Sequence, residues 1–155
     1  MIQRIQTVYL IAAFVLMLFP SVFPAAQLLA AGGYLYELKL TGVFEVQGNA
    51  VQLLILYWPL VILLSVILII HATAIILYRN RKLQMRLCIY NILLQAGLTG
   101  LMVFYLTRTF RETGAMEYSY KLPVVFPILA MILTYLAFRS VRKDELLVQA
   151  ADRIR

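Results

Sequence analysis

A chain of 155 residues that is 63% hydrophobic and only 14% charged, with a mean hydropathy of +0.87, cannot hide its apolar surface inside a water-soluble fold of this size, so lipid must be its main solvent. Its net charge of +7 invites a nucleic-acid reading, which the distribution of the charges removes. A single cysteine, Cys88, excludes an intrachain disulfide and a cysteine metal cluster.

Four blocks, residues 5–25, 57–78, 87–107 and 122–138, contain no Asp, Glu, Lys or Arg. Each approaches or reaches the roughly 20 residues needed to cross a hydrocarbon core. The expected fold is an all-α membrane protein, a four-helix bundle forming one domain over residues 1–155. The first block resembles a secretory signal, with Arg4 leading an apolar run that ends near Ala25 and Ala26. It is longer than a signal core, carries Pro20 and Pro24, and three further spans follow, so a retained first helix is expected. Pro20 and Pro24 should bend or end it; Pro59 and Pro123 fit helix starts, where a missing N–H costs nothing.

Between the first two spans, Tyr34 to Leu40 alternates, with Tyr34, Tyr36, Leu38 and Leu40 on one face and Leu35, Glu37 and Lys39 on the other. After Gly42 the run Val43-Phe44-Glu45-Val46 resumes the pattern, which predicts a β-hairpin. A lone hairpin is marginal in water, so it should pack on the bundle, and Glu117 to Leu122 offers a third strand. The basic stretch 79–86 reads as a short loop joining antiparallel neighbours. Beyond the fourth span the chain continues helical through 139–155 as an amphipathic tail. There Leu146, Leu147, Ala150, Ala151 and Ile154 make an apolar stripe suited to docking on a protein.

With the amino terminus inside, Arg4, Arg79, Arg81, Lys82, Arg86, Arg139, Arg142, Lys143, Arg153 and Arg155 face the cytoplasm, against Asp144, Glu145 and Asp152. Lys39, Arg108, Arg111 and Lys121 face out and are balanced by Glu37, Glu45, Glu112 and Glu117. The whole surplus therefore lies inside, as topology and acidic inner-leaflet lipids require. Both termini are expected in the cytoplasm, and no nucleic-acid partner is expected.

His71, Asn91 and Gln95 are polar side chains at comparable depth in the second and third spans. Such residues usually turn to the bundle interior, where they fix helix packing or serve a relay. No span holds an acid to complete a relay or a metal site, which favours the structural role. Ala96, Gly97 and Gly100 form a small-residue face on span three, explained equally by contact within the bundle or with a partner. Asp144, Glu145 and Asp152 lie in the basic tail, where charge balancing is the simpler role. Templates for phosphate loops, zinc hydrolases and serine nucleophiles are absent from the sequence, so no catalytic residue, metal or cofactor is expected.

The opening Met1-Ile2-Gln3-Arg4-Ile5-Gln6-Thr7-Val8-Tyr9-Leu10 and the closing stretch from Arg142 to Arg155 resemble the ends of bacterial proteins grouped as the domain-of-unknown-function family DUF4293. The resemblance extends in outline over the four spans and the outer loop. It implies a cytoplasmic-membrane protein of a Gram-negative lineage and supplies no activity or substrate. The expected function is a non-enzymatic accessory or assembly subunit of a larger inner-membrane complex, with membrane lipids and a protein as partners. The alternative is a carrier for a lipid or small hydrophobic ligand, bound near Tyr34, Tyr36 or Trp58, and an integral-membrane enzyme ranks third.

Overall fold

The computed structural model describes residues 2–30, 33–47, 50–78, 80–113 and 117–153, and their side chains apart from those of 2–4 and 149–153. Helix α1 (Ile2–Val22) leads into strands β1 (Ala26–Leu29), β2 (Leu35–Lys39), β3 (Gly42–Gln47) and β4 (Ala50–Leu56). Helices α2 (Trp58–Ile76) and α3 (Arg81–Thr113) follow, then β5 (Glu117–Tyr120), a 3-10 turn (Leu122–Val125) and α4 (Phe126–Arg153). All four helices are long and apolar enough to cross a membrane. They form a ring in chain order, each packed on its two neighbours, with α1 closing against α4.

Hydrophobicity alone does not say which side of each helix faces inward, because lipid and core are equally apolar. The inward side is a seam of buried positions three or four residues apart. It runs through Gln6, Leu10, Ala13 and Met17 on α1, and Leu60, Leu64, Ile67, His71 and Ala74 on α2. On α3 it comprises Gln84, Cys88, Asn91, Gln95, Leu98, Met102, Leu106 and Thr109, and on α4 Ala130, Thr134, Ala137, Val141 and Asp144. The three-four alternation is that of left-handed bundle packing. Large aliphatic side chains such as Ile62, Ile69, Leu93 and Ile132 turn outward.

Prolines set the helix ends as expected. α1 stops at Val22, between Pro20 and Pro24, while Pro59 lies in the first turn of α2 and Pro123 in that of the 3-10 turn. The segment expected to be an inner loop differs from expectation. Residues 81–86 are not loop, because α3 begins at Arg81 and carries Arg81, Lys82 and Arg86 on its first turns. At 33 residues and 1.5 Å per residue, α3 is about 50 Å long, well beyond the roughly 30 Å of a hydrocarbon core.

The extramembrane sheet is also larger than the expected hairpin. It has five antiparallel strands in the order β4-β3-β2-β1-β5. The hairpin is β2–β3, as the alternation indicates, but Glu117–Tyr120 pairs with β1 rather than with the hairpin. β1 and β4 escape the sequence reading for physical reasons. Ala-Gln-Leu-Leu has no β-branched or aromatic residue, and Ala50–Leu56 is nearly all apolar, so neither alternates. Ala26, Leu28, Leu38, Leu40 and Val43 form one apolar core with Met17, Leu60 and Leu106, so the sheet sits on the end of the bundle. Backbone bonds fasten it there: the amide of Leu40 donates to the Pro20 carbonyl, that of Tyr57 to Thr41, and that of Lys121 to Ala25.

Candidate functional site

Polar groups occupy the seam at three levels. Nearest the sheet, the Tyr57 hydroxyl meets Thr109 Oγ1 at 2.5 Å, and the Tyr57 ring stacks on Tyr105 with centroids 4.4 Å apart. In the middle, α2, α3 and α4 each contribute to a buried cluster of His71, Asn91, Gln95 and Thr134. At the opposite end, Gln6 Nε2 on α1 donates to Asp144 Oδ2 on α4. Beside that pair Arg81 donates to the Asp144 backbone carbonyl at 3.3 Å, and Gln84 Nε2 donates to the carbonyl of Ala74 at 3.1 Å.

The central cluster unites the three residues singled out from sequence and adds Thr134. That threonine bonds its own helix through the Ala130 carbonyl at 2.8 Å while facing the histidine. His71 Nδ1 lies 2.6 Å from Asn91 Nδ2 and 3.2 Å from the Ile67 carbonyl. One ring nitrogen cannot accept from an amide and donate to a carbonyl at once. The shorter contact makes Nδ1 the acceptor and places the proton on Nε2, which donates to Thr134 Oγ1 at 3.3 Å. Gln95 Nε2 donates to the same Thr134 oxygen at 3.3 Å. Both ring nitrogens are thus engaged by neutral partners. Asp144 lies farther along α4, about 15 Å from Thr134 at helical rise, with Ala137 and Val141 intervening on the seam.

This geometry suits helix registration better than proton transfer, and it makes a testable distinction. His71→Leu alone should cost about 1–2 kcal/mol, because it strands the amide donor of Asn91 and takes from Thr134 Oγ1 one of its two donors. The triple replacement of His71, Asn91 and Gln95 by leucine should recover most of that loss in chemical unfolding measured in mild detergent. A triple variant less stable than the single one would refute the registration role.

Four buried acceptors, Gln84 Oε1, Asn91 Oδ1, Gln95 Oε1 and Asp144 Oδ1, have no hydrogen-bond donor among the described residues. Asp144 itself corrects the expectation of a solvated charge-balancing tail, since it is 7% exposed and tied to Gln6. From sequence, Gln6 can bond head groups or the tail, and its bond to Asp144 is of the second kind. Gln84 was missed, although its spacing continues the three-four seam of α3 beyond the apolar block. No three His, Cys, Asp or Glu side chains stand together as a metal site among the described residues.

Of the expected tail stripe, Leu146 and Leu147 are more than half exposed on α4. The side chains of Ala150 and Ala151 lie outside the described residues, as does Ile154 altogether. Ala96, Gly97 and Gly100 point away from the bundle, and a Cβ added at either glycine would meet nothing within 4 Å. Contact within the bundle therefore does not account for that face. An apolar groove of about 410 Å³ does open where α1 ends and α4 begins. Phe19, Phe23, Pro24, Pro123 and Phe126 line it, however, and not the tyrosines or tryptophan expected for a ligand pocket. Tyr34 and Trp58 are exposed elsewhere, and Tyr36 packs on the core.

Ring closure, a buried seam with polar groups at three levels and a sheet seated on one end define a multi-pass four-helix bundle with a β-sheet cap. The family model described as a domain of unknown function, DUF4293, matches residues 2–154, and the chain belongs to that family. No curated protein matches the chain.

Proposed function

We propose that the protein is a non-enzymatic accessory or assembly subunit of a larger complex in the bacterial cytoplasmic membrane, with both termini in the cytoplasm. The observation that carries this reading is strand β4. It forms one edge of the sheet, and its sequence Ala-Val-Gln-Leu-Leu-Ile-Leu holds no charge and no proline. Val51, Leu53, Leu54 and Ile55 are each about half exposed. Sheet edges in lone proteins are kept short, charged or covered, because an open edge templates pairing with other chains. The opposite edge, β5, follows that rule: it is four residues long, carries Glu117 and is followed by Lys121. The contrast supports a partner protein that adds a strand to β4. The outward small-residue face of α3 supports a companion helix within the membrane, since such faces permit close helix approach.

Purification of the native complex in mild detergent should recover a stable larger partner. Val51→Lys with Leu53→Lys should reduce its recovery at least about tenfold, the scale of losing a central contact, while the bundle still unfolds at its usual temperature. Consistent recovery of the wild-type protein as a lone monomer would sink the proposal.

The second reading, a carrier for a hydrophobic molecule, is favoured by the phenylalanine groove between the end of α1 and the start of α4. It requires a bound apolar molecule there. Extraction and mass analysis that yields no stoichiometric ligand would remove it.

A further inference from the structure

We infer that the groove between the start of α3 and the end of α4 is a binding site for an acidic phospholipid. Two adjoining depressions of about 610 and 400 Å³ share Lys82, Arg86 and Glu145 as common walls. The first is polar and opens by Asn80 and Arg81. The second descends along Met85, Ile89 and Phe138 and is edged by Arg142. Charge and depth are therefore ordered along one line. Three cationic side chains, Arg81, Lys82 and Arg86, line the upper part and Arg142 edges the lower one, against the single carboxylate of Glu145.

The lower part is apolar and lies on helix segments that cross the membrane. Arg86 is the last charge before the apolar run of α3, and Arg142 comes four residues after Phe138 on α4. A molecule filling both parts needs a negative head at the membrane surface and a hydrocarbon chain running toward the midplane. Basic pockets between helices at the cytoplasmic surface hold acidic head groups on this principle. Topology requires positive charge near this surface, but does not require it to line a cleft with an apolar floor.

The site is independent of the partner proposed for β4, which lies at the other end of the bundle, so the two can fail separately. The test is titration of the full-length protein in detergent, followed by native mass spectrometry, with phosphatidylglycerol or phosphatidylcholine of identical acyl chains. Wild type should bind phosphatidylglycerol at least about tenfold more tightly. Arg86→Gln with Arg142→Gln should abolish the preference, whereas Arg139→Gln, a charge on the same helix outside the groove, should retain it. Glu145→Gln should strengthen binding by removing the like charge.

Equal binding of the two lipids would overturn the inference. So would an Arg139→Gln loss matching the double variant, which would mean diffuse surface charge. Displacement of the lipid by equimolar inorganic phosphate would also overturn it, since the head group alone would then suffice. Should the double variant fail to fold, wild type exposed to phosphatidylglycerol with a photoactivatable acyl chain should be labelled at Met85, Ile89 or Phe138. Labelling confined to other helix faces would reject the site.

Discussion

Gln6→Leu should destabilise the bundle by about 2 kcal/mol, in the range for hydrogen bonds to a charged group. Gln6 is 4% exposed, and its amide donates to the Asp144 carboxylate, whose other oxygen already lacks a donor among the described residues. Leucine would leave both oxygens without a donor in a site that water reaches poorly. Leucine at both positions should recover more than half of the loss, because stranding one partner of a buried pair costs more than removing both. Unfolding of the single and double variants in the same detergent measures this. Equal losses in the two would mean that the contact does not hold α1 to α4.

Gly42→Val should have an effect of similar size and a different location. A Cβ at Gly42 would lie 2.1 Å from the backbone oxygen of Ile55 and 3.2 Å from a methyl of Leu53. The obstacle is chiefly backbone, so a side-chain rotamer cannot relieve it. Gly42 opposes Leu56, beside the irregular step between Val43 and Phe44, and close approach there lets β4 pair with β3. The variant should lose about 2–3 kcal/mol, the range for steric strain of this kind. β4 should detach, with faster amide exchange over residues 50–56 and loss of the proposed partner, while the helices remain protected. Unchanged exchange in β4 would contradict the argument.

Much of the architecture was readable from the chain because lipid imposes simple demands. Charge-free blocks of the right length give the four helices, prolines give their ends, and alternation from Tyr34 to Val46 gives the central hairpin. The rest was hidden where the usual signals lose contrast. Inside lipid an apolar residue marks neither face of a helix, so the seam is visible only through polar and small residues spaced three and four apart. His71, Asn91 and Gln95 were found because they interrupt apolar blocks. Gln84 and the burial of Asp144 were missed because these residues sit among polar neighbours, where burial leaves no mark on composition. β4 was missed because an edge strand apolar on both faces has no period to detect. Its exposure becomes informative only once β5 is seen as the guarded edge.

Ring closure between α1 and α4 also constrains the order of assembly. β1 is made early, but its β5 partner is not complete until Tyr120 has been synthesised, and the Gln6–Asp144 contact waits a further 24 residues. Until α4 arrives, His71, Asn91 and Gln95 face an unfinished wall that lacks Thr134. A three-helix intermediate therefore exposes amide and imidazole groups to hydrocarbon on its open side. The nascent chain thus carries a built-in signal of incompleteness, which disappears when the last helix slides into place.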